Sequence, residues 1–193
     1  MRARLCQVLA TVGPSVVPAL LPRLTESRWY VVRNVVSILG KIGDESTFLS
    51  VVNVLDHPHP RVRLEAVRAL GVIGGRMAVT PLIRCLDDPD PTVRGAAVRA
   101  LGALQDEEAV AALHGLVTRP GLGAPDDLAI RHEAINALAA IGTPEARRAL
   151  SELASRRVWF WNRVEKRIRD MAAEALRASR HAMAGAMRDG DDG

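Results

Sequence analysis

Six aromatic side chains in 193 residues, 3% of the sequence, are too few for a β-sandwich or barrel, whose strands draw on aromatic and β-branched residues. Hydrophobic residues still make up 48%, so the core must be built from Ala, Leu, Val and Ile, which favours close helix packing. An all-α chain is expected. Cysteine is nearly as scarce. Cys6 and Cys85 stand at no metal-ligand or redox-motif spacing, which excludes a disulfide scaffold and a zinc module. Two reduced thiols fit a cytoplasmic protein. No stretch of the sequence approaches the roughly 18 consecutive apolar residues of a membrane span, so no membrane association is expected.

Charge of one sign is missing over most of the chain. The net charge is +4, and residues 155–183 hold eight Arg or Lys against Glu165, Asp170 and Glu174, which leaves the remainder close to neutral. A generally basic nucleic-acid surface is therefore excluded, while a basic C-terminal end is present. The opening "MRARLCQVLATVG" sets two arginines before an apolar run, but Gln7 interrupts it and no small-residue cleavage site follows. Export is not expected.

What the chain does have is a repeat. "RVRLEAVRALGVIGG" (61–75) returns as "TVRGAAVRALGALQD" (92–106), 31 residues later, and "YVVRNVVSILGKIGD" (30–44) lies 31 residues earlier. "IRHEAINALAAIG" (130–142) follows after a step of 37, and "IRDMAAEALR" (168–177) after a further 38. Within one copy Val62, Ala66, Ala69, Leu70 and Ile73 fall on one helical face. Gly74 should stop this first helix, as Gly43 and Gly142 do in their copies. A second helix follows, with Val79, Leu82, Ile83 and Leu86 on its buried face. Starts are legible too, because Asp90-Pro91 and Thr143-Pro144 pair an N-cap with a proline at the first helical position. Gly40, Gly71, Gly102 and Ala139 share one column inside the first helix. There a small residue lets a neighbouring helix approach closely.

These segments, "VRLEAVRALGVIG", "VRGAAVRALGAL" and "IRHEAINALAAIG", resemble the HEAT repeat family in its short bacterial form, related to phycobilisome lyase repeats. The resemblance covers roughly residues 1–180. It implies an α-solenoid, a right-handed superhelix of about five to six antiparallel helical pairs. Residues 1–183 are expected to form one repeat domain ending on an unpaired helix, and residues 184–193, closing on "GDDG", a disordered tail.

The repeat carries several candidate sites. Arg63, Arg94, Arg131 and Arg169 occupy one column at the start of the first helix, and Asp56 and Asp87 each lie seven residues before the first two. The expectation is a structural ladder of Asp and Arg hydrogen bonds setting the register of the repeats, because bidentate pairing favours arginine over lysine. An anion-binding row is the alternative. His132-Glu133 is similar to the His-Glu dipeptides that ligate di-iron in deoxyhypusine hydroxylase, another HEAT-like protein. The matching positions here are Leu64-Glu65, Gly95-Ala96 and Asp170-Met171, and one dipeptide cannot build that centre. His57 and His59 of "DHPHP" align with Asp88 and Asp90 of "DDPDP", so turn chemistry is expected, with His59 near an N-cap. No nucleophile elbow, phosphate loop or zinc spacing occurs. No metal, cofactor or catalytic residue is assigned.

The exposed column of the second helices, Pro22, Asn53, Arg84, Gly115 and Glu152, carries mixed charge and offers no phosphate-tracking stripe. Trp159, Phe160 and Trp161 sit in a segment lengthened by seven residues relative to the 31-residue unit. Their rings either close over the core at the end of the stack or form a protein contact, since Trp and Arg dominate interface hot spots. The expected function is a non-enzymatic scaffold for another protein. Its contacts would be Trp29, Tyr30 and Arg33 toward one end, Arg84 and His114 in the groove, and Trp159, Phe160, Trp161, Arg163 and Arg167 at the other. A bilin-handling protein of the phycobilisome lyase kind is the alternative that the resemblance implies. An end-to-end homodimer is a further expectation, because the first helix keeps an apolar side and terminal repeats usually need a polar cap.

Overall fold

The computed structural model describes residues 11–119, 125–157 and 163–189, with side chains over 11–119, 127–157 and 163–179. Among them every regular element is a helix. The chain divides into two compact units, residues 1–100 and 101–193.

In the first unit three long helices begin at the repeat spacing. They are α2 (Trp29–Ile42), α4 (Pro60–Ile73) and α6 (Pro91–Leu104), each of 14 residues. Between them run shorter pieces, α1 (Val17–Leu20), α3 (Phe48–Val52) and α5 (Val79–Arg84), each flanked on both sides by 3₁₀ turns. The sequence pattern marks single second helices here. In the first of them Pro14, Pro18 and Pro22 recur every fourth residue, and Pro18 and Pro22 each remove an i→i−4 hydrogen bond, which breaks the segment into tighter turns. Helices α2 and α4 pack along one another. The second unit holds the end of α6, then α7 (Ala109–Thr118), α8 (Pro125–Ile141), α9 (Pro144–Ser155) and α10 (Arg163–Asp189). There α7 packs on α8, and α10 packs on both α8 and α9. The last helix runs to Asp189, six residues into the segment expected as a tail from 184 onward.

Repeat columns become layers of core. Val36, Val67, Val98 and Ile135 are fully buried, as are Leu39, Leu70, Leu101 and Leu138. Each such side chain is worth about 1.5–3 kcal/mol of transfer free energy. Val62, Ala66, Ala69, Leu70 and Ile73 are all buried as the periodicity predicts. Val67 joins them, because a first helix packs on its own hairpin partner and on the first helices beside it, which widens its apolar stripe. Of the second-helix set Val79, Leu82 and Leu86 are buried, whereas Ile83 is half-buried and Cys85 takes the inner position.

The helix ends follow capping chemistry. His59 caps α4 by accepting the Arg61 N–H on Nδ1 at 3.2 Å, and Asp90 accepts the Thr92 N–H at 2.8 Å at the start of α6. Thr143 caps α9 through the Ala146 N–H at 3.2 Å. One stop differs from expectation. Gly43 and Gly142 adopt positive φ, 71° and 62°, but at the end of α4 the left-handed step falls on Gly75 (φ 46°) and not on Gly74 (φ −89°). A Cβ on Gly74 would stand 2.6 Å from the Ala78 Cβ and 2.8 Å from the Phe48 ring, so Gly74 is required by crowding while its neighbour turns the chain.

Candidate binding surface

Trp29 opens α2 and anchors a cluster. Its ring stacks on His59 with centroids 3.9 Å apart and planes 11° from parallel, and it meets Tyr30 edge-on at 6.1 Å. The guanidinium carbons of Arg33 and Arg61 lie 5.9 and 5.8 Å from the same ring centre, within the distance at which the ring quadrupole attracts a cation. Trp29 and Arg33 are half-buried, Arg61 is exposed, and Tyr30 keeps 38% of its surface in solvent. Arg33 donates to the side-chain oxygen of Asn34 at 2.7 Å. Glu26, the acid nearest in sequence, is engaged by Arg23 at 2.8 Å and Arg28 at 3.4 Å. Arg23 and Arg28 hold the Glu26 carboxyl below its ordinary value, with the Arg23 hydrogen bond the leading cause. Of this cluster, Trp29, Tyr30 and Arg33 stand out in the sequence; Arg61 and the ring face of His59 do not. The 31-residue register contained the signal, since it sets Trp29-Tyr30 against Pro60-Arg61.

The arginine column is a set of loop clamps. Arg63 donates from one terminal nitrogen to the carbonyls of His57 and Pro58 at 3.0 and 3.1 Å, and Arg94 repeats this on Asp88 and Pro89 at 2.9 and 3.2 Å. The acid partner of Arg63 is Asp88, bound through Nε at 2.7 Å and a terminal nitrogen at 2.9 Å. The expected Asp56 pairs instead with Arg84 at 3.5 Å, both exposed. The reason is geometric. Asp56 closes a 3₁₀ turn whose last side chain faces outward, whereas Asp88 sits in the turn of the following repeat, where it also accepts the Asp90 N–H at 2.8 Å. Hydrogen bonding to Asp88 raises the Arg63 pKa, against the opposing effect of burial. His57 holds the place of Asp88 one repeat earlier, accepting the His59 N–H on Nδ1 at 3.0 Å.

In the second unit Arg131 is 3% exposed and donates to the Arg119 carbonyl. It lies 3.7 Å from Glu165, which Arg156 also approaches at 3.7 Å, and its Nε has no hydrogen-bond partner among the described residues. Arg169 turns to the adjacent Asp170 at 3.0 Å, and among the described residues it grips no loop carbonyl. His114 is half-buried with Nε2 3.6 Å from Glu152. Arg163 and Arg167 are exposed on the first turns of α10, and Trp159, Phe160 and Trp161 lie outside the described residues. His132 is exposed. Among the described residues no group of three or more His, Cys, Asp or Glu could hold a metal ion, and no helix is long and apolar enough to cross a membrane. An open groove of about 360 Å³ is lined by Leu21, Leu24, Ser50, Asn53, Asp56 and His57 among others.

Tandem helical hairpins at a spacing of 31–38 residues, with an arginine clamp at the start of successive copies, define an α-solenoid of helical repeats. The HEAT repeats family matches residues 48–122, and the PBS lyase HEAT-like repeat family matches residues 130–156, more than half of the chain between them. The chain belongs to the HEAT repeat family. A search of curated proteins gives no significant match. Among solved structures it is similar to an engineered protein, 21% identical over 90% of this chain and 89% of that one, with a TM-score of 0.53. It is also similar to a designed armadillo repeat protein solved with the peptide (KR)4, 20% identical over 90% of each chain, TM-score 0.52. Computationally designed armadillo repeat proteins for modular peptide recognition match at 20% identity over 89% and 90%, TM-score 0.50. At these identities the likeness is one of fold.

Proposed function

We propose that this chain is a non-enzymatic scaffold that binds another protein on the surface of its repeats. The observation that carries the reading is the Trp29 cluster, where a half-buried indole gathers His59, Arg33 and Arg61 around itself beside an exposed Tyr30. A structural aromatic would be covered by apolar neighbours. This one is ringed by cations at the surface, the composition enriched at interface hot spots. A repeat fold suits the task, because each unit contacts only its neighbours and the outer faces remain available. Selection of a displayed peptide library on the immobilised full chain tests it. Enrichment of binders that compete with one another and lose affinity in Trp29→Ala is expected, with the melting temperature kept near that of the parent. Failure to enrich any sequence above the bare matrix overturns it.

A second reading, a bilin-handling protein, is favoured by one finding, the PBS lyase HEAT-like repeat at residues 130–156. Mixing the chain with a free bilin and recording absorbance separates the two, since only the second predicts a shifted spectrum.

A further inference from the structure

We infer that the edge formed by the starts of α2 and α4 takes an acidic, extended peptide segment of a protein partner. This deepens the scaffold reading and rests on it. The argument is one of charge left uncompensated. Among the described residues Arg33 meets a neutral amide oxygen and the Trp29 ring, and Arg61 meets the ring, so neither guanidinium has a carboxylate. Five other arginines of this unit are matched, Arg63 by Asp88, Arg68 by Glu65, Arg84 by Asp56, and Arg23 and Arg28 by Glu26, while Arg99 is exposed and also has no carboxylate among the described residues. Two cations are thus held on neighbouring helices by one indole, with no carboxylate among the described residues to answer them.

The geometry bounds the reach a ligand needs. Both guanidinium carbons lie within 6 Å of one ring centre, so both fall within the reach of two acidic side chains on one short segment. In an extended chain, side chains two residues apart point the same way at about 6.5 Å. Acidic residues at alternate positions can therefore reach Arg33 and Arg61 together, while Tyr30 supplies an aromatic wall beside them. Ring contacts already restrict both arginines, which lowers the ordering cost of binding. Nucleic acid is a poorer match, because its affinity is built from many phosphate contacts along a track, and here two cations share a single ring. A membrane surface would need an apolar face, and on this edge Tyr30 is the exposed large apolar side chain.

Fluorescence anisotropy with a short labelled peptide bearing glutamate at alternate positions tests the inference. The same peptide with lysine for glutamate, an oligothymidylate of similar length and phosphatidylserine vesicles serve as competitors. Expected is binding of the glutamate peptide that weakens with salt and falls at least about tenfold in the double variant Arg33→Glu, Arg61→Glu. Affinity should hold in Lys166→Glu, Arg177→Glu, which alters exposed basic residues of α10. Circular dichroism melts confirm that each variant folds. Loss in the α10 variant in place of the Arg33/Arg61 variant overturns the inference, as does tighter binding of the lysine peptide, the oligothymidylate or the vesicles. If library selection yields binders but the glutamate peptide does not bind, the acidic specificity falls and the scaffold stands. If selection also yields nothing, both fall.

Discussion

Replacing Gly40 by alanine sets two effects of opposite sign against each other. A glycine inside a helix costs about 1 kcal/mol relative to alanine, so on an isolated helix the change stabilises. In the folded chain the new Cβ would stand 2.9 Å from the Cβ of Ala69 and 3.0 Å from its Cα. Neither atom can swing aside, so α2 and α4 must separate by several tenths of an ångström. Overpacking of this kind costs about 1–3 kcal/mol, and the helical gain offsets about 1 kcal/mol of it, leaving a net loss of about 1 kcal/mol. Gly102 should behave alike, since its added Cβ meets Ala137 at 2.9 and 3.1 Å. Gly71 should not. There the nearest atom is the Ala100 Cβ at 3.3 Å, with the Cα at 4.0 Å. A small adjustment suffices, and Gly71→Ala should be neutral or stabilising by up to about 1 kcal/mol. Urea unfolding followed by far-ultraviolet circular dichroism measures the three, and a cycle combining Gly40→Ala with Ala69→Gly should show coupling of about 1 kcal/mol or more. Equal damage at Gly71 and Gly40, or an additive cycle, would refute close approach as the reason for the column.

Two further predictions follow from titratable groups. Burial is the leading cause that lowers the His57 pKa below 6.5, with His59 and Arg63 adding repulsion of the charged form. Because the folded value is depressed, the contribution of His57 is complete above pH 6.5 and is lost as pH falls through the folded value. Hydrogen bonds from Thr92 likewise depress Asp90 below 3.8, so a second loss begins only near that pH. A urea midpoint that does not decline between pH 7 and 5, or that declines equally in His57→Asp, would contradict this. Burial pushes the Cys85 thiol up to about 11, and it donates to the Pro81 carbonyl at 3.4 Å. In a Cys6→Ser background, thiol-reactive dye should label Cys85 slowly in buffer and rapidly in urea; rapid labelling of the folded chain would refute its placement.

How far the sequence could be read depended on the kind of feature. Local chemistry marked boundaries well. Pro60 and Pro91 begin their helices because His59 and Asp90 cap them, and the buried set of α4 follows from a period of 3.6 residues. Interactions between copies were harder. A fixed offset of seven residues drew attention to Asp56, but the bond to Arg63 spans 25 residues to Asp88, a distance that offers no rank order in one dimension. The stack of Trp29 on His59 has the same character, since it joins side chains 30 positions apart whose facing depends on how α2 lies against α4. The division of the second helices into α and 3₁₀ pieces also escaped the hydrophobic pattern. In the first copy its prolines could have announced it, whereas Glu45–Asp56 has none and tightens at both ends all the same.

The arginine clamps explain why this architecture tolerates unequal spacing between its copies. Arg63 and Arg94 grip carbonyls five and six positions upstream, yet Arg131 reaches Arg119, twelve positions back across the longer connection. Each guanidinium fastens the end of the preceding hairpin to the next helix, whatever polypeptide runs between them. New sequence can therefore be spliced into such a connection without shifting the hairpins that follow, which makes these junctions the natural places for the chain to acquire variation.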